Sequence, residues 1–79
     1  MMTLQIITPT GCVLQTQVTR VFLPGSASAF EVLKGHAPIV STLYKGKVRY
    51  GVGEDLREYD VKGGFVKVED NTITVCTEE

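Results

Sequence analysis

The sequence predicts an all-β domain, and specifically a small β-sandwich. Short runs of residues that favour extended backbone alternate with turn residues at a spacing of roughly 8 to 12 residues, which is typical of sandwiches and barrels. No run shows the apolar periodicity of an amphipathic helix. The runs amount to about nine strands within the 79 residues of the chain, too many to bury their apolar sides in one flat sheet. We therefore expect two packed sheets, with a flattened barrel as the second choice.

The first two strands are predicted on either side of a Thr-Pro-Thr-Gly turn. Residues 3–8 form the first run, and the turn after it contains proline, which fixes φ, and Gly11, which can take a positive φ. Residues 12–23 then return as one long strand that a Pro-Gly pair stops. Because side chains alternate between the two faces of a strand, Val18 and Val21 are expected on opposite faces.

The middle of the chain predicts three further strands. Residues 30–33 form a short strand in which Phe30 and Val32 point the same way. Residues 39–44 and 47–52 follow, separated by a Lys-Gly pair. The second of these two strands has the cleanest alternation in the chain. Its expected outward residues are Lys47, Arg49 and Gly51, and its expected inward residues are Val48, Tyr50 and Val52.

The last third of the chain predicts three more strands, which are residues 56–62, 65–69 and 72–77. The first follows a hairpin turn at residues 53–55, and the last two form a hairpin across Asp70-Asn71. Ile73 and Val75 are expected on the inward face of that hairpin. Gly63-Gly64 interrupts the run before it, and its other interpretation is a bulge or a sharp strand crossing.

The composition excludes several classes of protein. Eight Lys and Arg against nine Asp and Glu give a net charge of −1, without the basic footprint that nucleic acid requires. No apolar run approaches the roughly 20 residues of a membrane span, and no signal segment follows Met1. Only Cys12 and Cys76 are present, and we expect both to be buried thiols and not a disulfide. The interpretation is a soluble, unsecreted protein of one domain, residues 1–79.

The sequence pattern offers very few candidates for chemistry. His36 is the single histidine and could act as a base toward Ser26 or Ser41, but neither spacing resembles a nucleophile elbow. Cys12 and Cys76, taken with this histidine, lack the paired cysteine spacing of a structural zinc site. We therefore predict no catalytic residue, no metal site and no cofactor.

One loop stands out as a candidate contact surface. Gly35 and Pro38 bracket His36 and Ala37, and a glycine and a proline in these positions make a rigid loop that holds the histidine in a fixed direction. A fixed and partly apolar loop suits a protein contact. A tight connection between two strands is the equally good alternative interpretation.

Four stretches together carry a family resemblance, namely FEVLKGHAP at residues 30–38, GKVR at 46–49, GGFVKV at 63–68 and NTITV at 71–75. This pattern resembles the epsilon subunits of F-type ATP synthases over nearly the whole chain. The resemblance implies a ten-stranded β-sandwich. It also implies a non-catalytic subunit of the rotating central stalk, between the gamma subunit and the membrane-embedded ring of c subunits (the c ring), which couples proton or sodium flow to ATP synthesis. Such a subunit lies at the cytoplasmic face of the bacterial inner membrane, as a peripheral part of the complex.

The same resemblance assigns residues to the two partners. In that family the Gly-His-Ala-Pro loop and the strand after it face gamma, which carries over to His36, Ala37, Pro38 and Ser41. The preceding loop faces the c ring, which carries over to Ser28, Ala29, Phe30 and Glu31. Structural glycines are implied at Gly35, Gly63 and Gly64. Family members often have glycine where this chain has Ser28 and Glu31, which implies a stiffer loop with different ring contacts.

The resemblance leaves one departure and one alternative open. Many bacterial epsilon subunits continue into a C-terminal helical hairpin that can inhibit ATP hydrolysis, whereas this sequence stops at Glu79. If 79 residues is the natural length, we expect assembly and coupling without inhibition by such a hairpin. The alternative function is a small β-sandwich that binds a soluble ligand or carbohydrate. A stalk subunit predicts an exposed apolar patch near His36, and a ligand-binding module predicts a concave pocket with converging polar groups.

Overall fold

The computed structural model describes residues 1–78, which form seven β-strands and no helix. In chain order the strands are β1 (Met2–Thr8), β2 (Gly11–Val18), β3 (Arg20–Leu23), β4 (Phe30–Leu33), β5 (Ile39–Val52), β6 (Asp55–Glu69) and β7 (Thr72–Thr77). The predicted all-β class is confirmed. Among these residues there is also no helix long and apolar enough to cross a bilayer.

The strands lie in the order β2-β1-β7-β6-β5-β3-β4, and the sheet folds over on itself. The fold-over is possible because β5 and β6 are long enough to belong to both layers. Residues 39–43 and 64–68 pair in the layer of β1, β2 and β7, while the other halves of β5 and β6 lie beside β3 and β4. The β1–β7 pair is parallel and all other pairs are antiparallel. The result is the predicted sandwich, in an open form.

One apolar core fills the space between the two layers. In β1 and β7 buried positions alternate with half-buried ones, as expected for strands with one face inward. The inward positions predicted at Ile73 and Val75 are confirmed, and both side chains are fully buried. The largest fully buried side chains come from both layers and are Met2, Leu4, Ile6, Val18, Val21, Leu23, Val32, Val48, Val61, Val66, Val68 and Ile73.

The expected number of strands, about nine from the pattern and ten from the resemblance, is wrong. The runs 39–44 and 47–52 are one strand, β5, and the runs 56–62 and 65–69 are one strand, β6. Gly63 and Gly64 do not end β6 but sit inside it with φ of +105° and +120°. The register of β5 with β6 is the same on both sides of these glycines, although Tyr44 and Gly63 are not paired, so the side-chain alternation turns over within one strand.

The turnover is visible in which residues face the core. In β6 the inward residues are odd-numbered before the glycines, as at Val61, and even-numbered after them, as at Val66. In β5 the inward parity likewise changes between Leu43 and Val48. A change of parity looks like the start of a new strand in a sequence pattern, because strands are recognised by an unbroken period of two.

A second difference concerns residues 12–23, which were predicted as one strand and form two. The chain leaves the β1 layer at Thr19, whose backbone N–H donates to the carbonyl of Gly51 on β5 over 2.9 Å. Val18 and Val21 were expected on opposite faces, yet both are fully buried because they belong to different layers. The inward position predicted for Val52 is also wrong, since this residue is 47% exposed at the end of β5.

The predicted hairpin turns are confirmed. Gly53 and Glu54 connect β5 to β6, and Gly53 has a φ of +61°. Asp70 and Asn71 connect β6 to β7 with φ of +51° and +58°. Two consecutive left-handed residues are what a type I′ turn requires, and its twist matches that of the flanking strands.

Candidate functional site

The Gly-His-Ala-Pro loop joins β4 to β5 at one end of the sandwich. Gly35 has a φ of +83°, and the backbone N–H of His36 closes a turn by donating to the carbonyl of Leu33 over 3.0 Å. The imidazole Nδ1 of the half-buried His36 lies 2.6 Å from the carbonyl oxygen of Ala37. The loop therefore holds its histidine against its own backbone and exposes Ala37 and Pro38.

A residue that sequence reasoning missed ties this loop to the rest of the fold. The side-chain oxygen Oδ1 of Asn71 accepts a hydrogen bond of 2.9 Å from the backbone N–H of Gly35. The carbonyl of Asn71 accepts a second bond of 2.9 Å from the N–H of Thr3 at the start of β1. An asparagine at positive φ indicates a turn in a sequence, but it does not reveal a partner 36 residues away.

The outward face beside the loop carries an apolar row, which we define as Ile7, Cys76, Phe65 and Val40. Ile7 pairs with Cys76 across β1 and β7, and Cys76 pairs with Phe65 across β7 and β6. Phe65 lies opposite Thr42 on β5, which makes Val40 its diagonal neighbour on the same face. Val40 is 70% exposed and Phe65 is 48% exposed. A shallow groove of about 360 Å³ opens at Ile7, Cys76 and Phe65.

Ser41 does not lie on this outward face. It pairs with the fully buried Val66 on the inward side of β5, is half-buried, and donates its hydroxyl to the carbonyl of Thr42 over 3.1 Å. Its neighbours Val40 and Thr42 point outward instead. Taking Leu43 as an inward residue of β5 would have placed Ser41 inward as well, because residues two apart lie on the same face of a strand.

The loop before β4 is hydrogen-bonded to β5. The N–H of Ser26 donates to the carbonyl of Thr42 over 3.0 Å, and the Thr42 hydroxyl donates to the Ser26 hydroxyl over 2.7 Å. Further along this loop Ser28 and Ala29 are exposed, whereas Phe30 is half-buried against the core. Thr42 thus connects this loop to the strand that carries the outward apolar residues.

Glu31 is paired within the chain. Its Oε2 lies 2.8 Å from Nη2 and 2.9 Å from Nε of Arg20 on the neighbouring strand β3, and both side chains are about one third exposed. The guanidinium groups of Arg20 and Arg49 also lie over the ring of Phe22, at 4.9 Å and 5.4 Å from its centre. The carboxylate therefore has a fixed direction, and its charge is balanced before any partner arrives.

Lys47 is the centre of a small ion-pair ladder on the outward face of β5 and β6. Its Nζ lies 2.8 Å from Oδ1 of Asp60 and 3.9 Å from Oε1 of Glu58. The hydrogen bond to Asp60, then the charge of Asp60 and to a lesser extent that of Glu58, raise the pKa of Lys47 above its ordinary value of 10.5. The three side chains are all more than half exposed, so the ladder is a surface feature.

We expect Asp60→Asn to lower the pKa of Lys47 toward 10.5, because the neutral amide removes both the charge and the charge-assisted bond. A raised lysine pKa stabilises the fold below the unfolded pKa, and this contribution disappears as the pH rises through the folded pKa. As the pH rises above 10.5, the free energy of unfolding should therefore fall slightly in the unaltered chain, and this fall should be smaller in Asp60→Asn. NMR titration of Lys47 measures the pKa directly. Glu58→Gln is the matched control and should cause the smaller fall; an equal or larger fall would contradict the assignment.

Catalytic and metal-binding arrangements do not form in the described part of the chain. His36 bonds to Ala37, whereas the hydroxyls of Ser26 and Ser41 bond to Thr42, so no serine is paired with the imidazole. No three His, Cys, Asp or Glu side chains of residues 1–78 cluster as metal ligands.

The two cysteines are free thiols, but the expectation that both are buried is wrong. Cys12 is exposed and Cys76 is half-buried. Cys12 lies near the beginning of the edge strand β2, and Cys76 alternates with the buried residues Val75 and Thr77 on β7, so it points outward. Whether a cysteine is buried depends on which face of its strand it occupies, and residue type alone does not predict that face.

The concave regions of the surface are small or open. One of about 260 Å³ opens between β2 and the β5–β6 hairpin and is lined in part by Leu14, Thr16, Tyr50, Asp55 and Arg57. Its volume lies below the roughly 300 to 1,000 Å³ of typical small-molecule sites. Another of about 410 Å³ is an open depression lined by Lys45, Gly46, Lys47, Asp60, Val61 and Lys62. Neither has the enclosed shape that the ligand-binding alternative predicts.

Comparison with known proteins gives a consistent family. The model of the ATP synthase delta/epsilon chain β-sandwich domain matches residues 1–79. The ATP synthase epsilon chain of Leptospira borgpetersenii is 37% identical over 73 residues, which are 92% of this chain and 58% of that protein. The epsilon chain of Chlorobaculum tepidum is 37% identical over 78 residues, which are 98% of this chain and 89% of that protein.

A solved structure shows the same fold. A chain in the cryo-EM structure of the Euglena gracilis mitochondrial ATP synthase, which contains OSCP, F1 and c-ring, superposes with a TM-score of 0.87 at 23% identity. The match covers 96% of this chain and 49% of that one. At this level of identity the likeness concerns the fold alone.

Proposed function

Because the chain belongs to the family of ATP synthase delta- and epsilon-chain β-sandwich domains, we propose that it is a non-catalytic subunit of the rotating central stalk. In this role it binds the gamma subunit with one surface and the c ring with another, and couples the flow of protons or sodium ions to ATP synthesis. The main structural support for this proposal is the pair of hydrogen bonds between Thr42 and Ser26, which connects the two proposed surfaces. The subunit is peripheral and works at the cytoplasmic face of the bacterial inner membrane.

The proposed gamma surface combines the apolar row with the Gly-His-Ala-Pro loop. Val40 and Phe65 expose apolar side chains as diagonal neighbours, and neighbouring apolar groups of this kind mark protein contact sites more often than isolated ones do. Ala37 and Pro38 extend the surface at the start of β5, and His36 is held in one direction beside them. Ser41 supports the surface from the inward side of the strand.

The proposed c-ring surface is the loop before β4. Ser28 and Ala29 have small, exposed side chains there, which leave the backbone of the loop accessible to a partner. Glu31 lies next to them with its charge balanced by Arg20. Polar loops of the c ring that approach this surface would therefore contact an ion pair and not an isolated carboxylate.

The core supplies the stiffness that a rotor subunit needs. Fully buried side chains from both layers fill the space between the proposed surfaces, and close-packed interiors have low compressibility. A torque applied at the loop would pass through the Thr42–Ser26 bonds into β5 and on to the gamma surface. The role requires no chemistry from the chain.

Site-directed cross-linking in membranes that contain the assembled synthase tests both surfaces at once. In a background with Cys12→Ser and Cys76→Ser, a single cysteine introduced at Ser28 should cross-link to a c subunit, and one introduced at His36 should cross-link to gamma. Glu54→Cys is the matched control, because it is exposed in the β5–β6 hairpin outside both surfaces and should cross-link to neither. Absence of both products, or an exchange of the two partners, would refute the proposal.

A further inference from the structure

Asn71 makes the only hydrogen bond that anchors the Gly-His-Ala-Pro loop to another element within residues 1–78. The other bonds of residues 34–38 are local: the N–H of His36 bonds to Leu33, and its imidazole bonds to Ala37. The bond from the Gly35 N–H to Oδ1 of Asn71 is 2.9 Å long and reaches the β6–β7 turn. No ion pair involves these loop residues in the described chain.

The anchor is itself held firmly. Asn71 is the second residue of the type I′ turn, and its carbonyl accepts the N–H of Thr3 from β1. Its backbone therefore has a fixed place relative to the centre of the sheet, where β1, β6 and β7 are paired. A side-chain amide on a fixed backbone gives a fixed acceptor for the loop.

We propose that Asn71 is a positioning residue, whose side-chain oxygen presets the Gly-His-Ala-Pro loop for docking of the gamma subunit. This inference rests on the proposed function of the loop. Without the bond, residues 34–38 would be connected only through their two ends, and gamma would have to order them on binding. Preordering a contact loop increases affinity because the ordering cost is removed from the binding step.

Asparagine fits this position for two reasons that can be separated by substitution. It tolerates a φ of +58°, which most residues avoid, and its side chain places an oxygen acceptor within hydrogen-bond distance of the Gly35 N–H. Glycine retains the first property and loses the second. Aspartate retains both, because its carboxylate offers an acceptor at the same position as Oδ1.

The test compares Asn71→Gly with Asn71→Asp and with the control Asp70→Gly. Asp70 is the other left-handed residue of the same turn, and its side chain makes no hydrogen bond to the loop within residues 1–78. Asp70→Gly therefore repeats the change of residue type without removing the anchor. Affinity for the purified gamma subunit of the same organism is measured by calorimetry, together with thermal unfolding and the exchange rate of the Gly35 amide by NMR.

We expect Asn71→Gly to weaken gamma binding about fivefold, the effect of one hydrogen bond of ordinary strength. The Gly35 amide should exchange faster in this variant, and its midpoint of unfolding should match that of Asp70→Gly. Asn71→Asp should bind gamma within about twofold of the unaltered chain. This combination of results supports a positioning role, because a purely structural role would lower the midpoint of unfolding of Asn71→Gly below that of Asp70→Gly.

Three outcomes overturn the inference in distinguishable ways. If Asn71→Gly releases the Gly35 amide but binds gamma as tightly as the unaltered chain, the loop is not preset by Asn71, and the proposed function survives. If the unaltered chain itself does not bind gamma, the proposed function fails and the inference fails with it. A loss of binding in Asp70→Gly equal to that in Asn71→Gly would assign the effect to the turn and also overturn the role of the side chain.

Discussion

Replacing Gly64 with alanine is expected to lower the free energy of unfolding by at least about 3 kcal/mol. A Cβ at this position would overlap the carbonyl oxygen of Cys76 on the paired strand β7, which is backbone and cannot rotate away. The φ of +120° adds strain, because this region of backbone conformation is populated almost only by glycine. Thermal unfolding followed by circular dichroism should show a midpoint lower by more than about 12 °C, at about 4 to 8 °C per kcal/mol for a domain of this size.

Gly53→Ala is the control for this prediction. Gly53 also has a positive φ, of +61°, but a Cβ there would meet no atom within 4 Å. Its cost should be only the roughly 1 to 2 kcal/mol of a left-handed alanine. The difference between the two variants therefore reports the steric conflict with Cys76. If Gly64→Ala were no more destabilising than Gly53→Ala, the continuous path of β6 through Gly64 would be incorrect.

Replacing Val40 with aspartate is expected to weaken binding of the gamma subunit by about tenfold or more, because an apolar contact is lost and a carboxylate, with only the exposed Lys67 opposite it on β6, would be desolvated in its place. Val40 is the most exposed member of the apolar row, so the fold itself should tolerate the charge. Calorimetric titration with purified gamma measures the affinity. Thermal unfolding of the same samples establishes that the variant remains folded.

Val52→Asp provides the matched control for the binding experiment. Val52 lies at the opposite end of the same strand, is 47% exposed, and undergoes the same change of side chain. Both variants introduce the same side chain on β5, but its cross-strand partner is Lys67 at position 40 and Asp55 at position 52. Thermal unfolding of each variant therefore separates effects on folding from effects on binding. Equal loss of affinity, or no loss in Val40→Asp, would remove the apolar row from the gamma surface.

The features of the fold that follow from local chemistry could be predicted from the sequence. The turns at Gly53 and at Asp70-Asn71 were expected because glycine, aspartate and asparagine tolerate positive φ, and the strands beside them alternate clearly. The sequence could not show that β6 continues through Gly63-Gly64. A glycine pair inside a strand that reverses the side-chain alternation has the same sequence pattern as a glycine pair that ends a strand. The crossing at Thr19 depends on its bond to Gly51, 32 residues away.

The candidate surfaces show the same division between local and distant information. The Gly-His-Ala-Pro loop and the loop at Ser28 were found from motifs contiguous in the chain. The apolar row was missed because its members come from four strands and meet only through their register. Asn71 was treated as a turn residue, which it is, while its bond to Gly35 depends on the approach of two separate loops.

The parallel pairing of β1 with β7 has a consequence for how the domain is made. β1 gains its permanent neighbour on one side only after β7 has been synthesised. Until then a nascent chain exposes the hydrogen-bonding edge and the apolar side of β1, which is a template for aggregation. Pairing between strands so far apart in the chain also gives the domain a high contact order, so we expect refolding in the range of milliseconds to seconds, with the β1–β7 ladder among the last contacts to form.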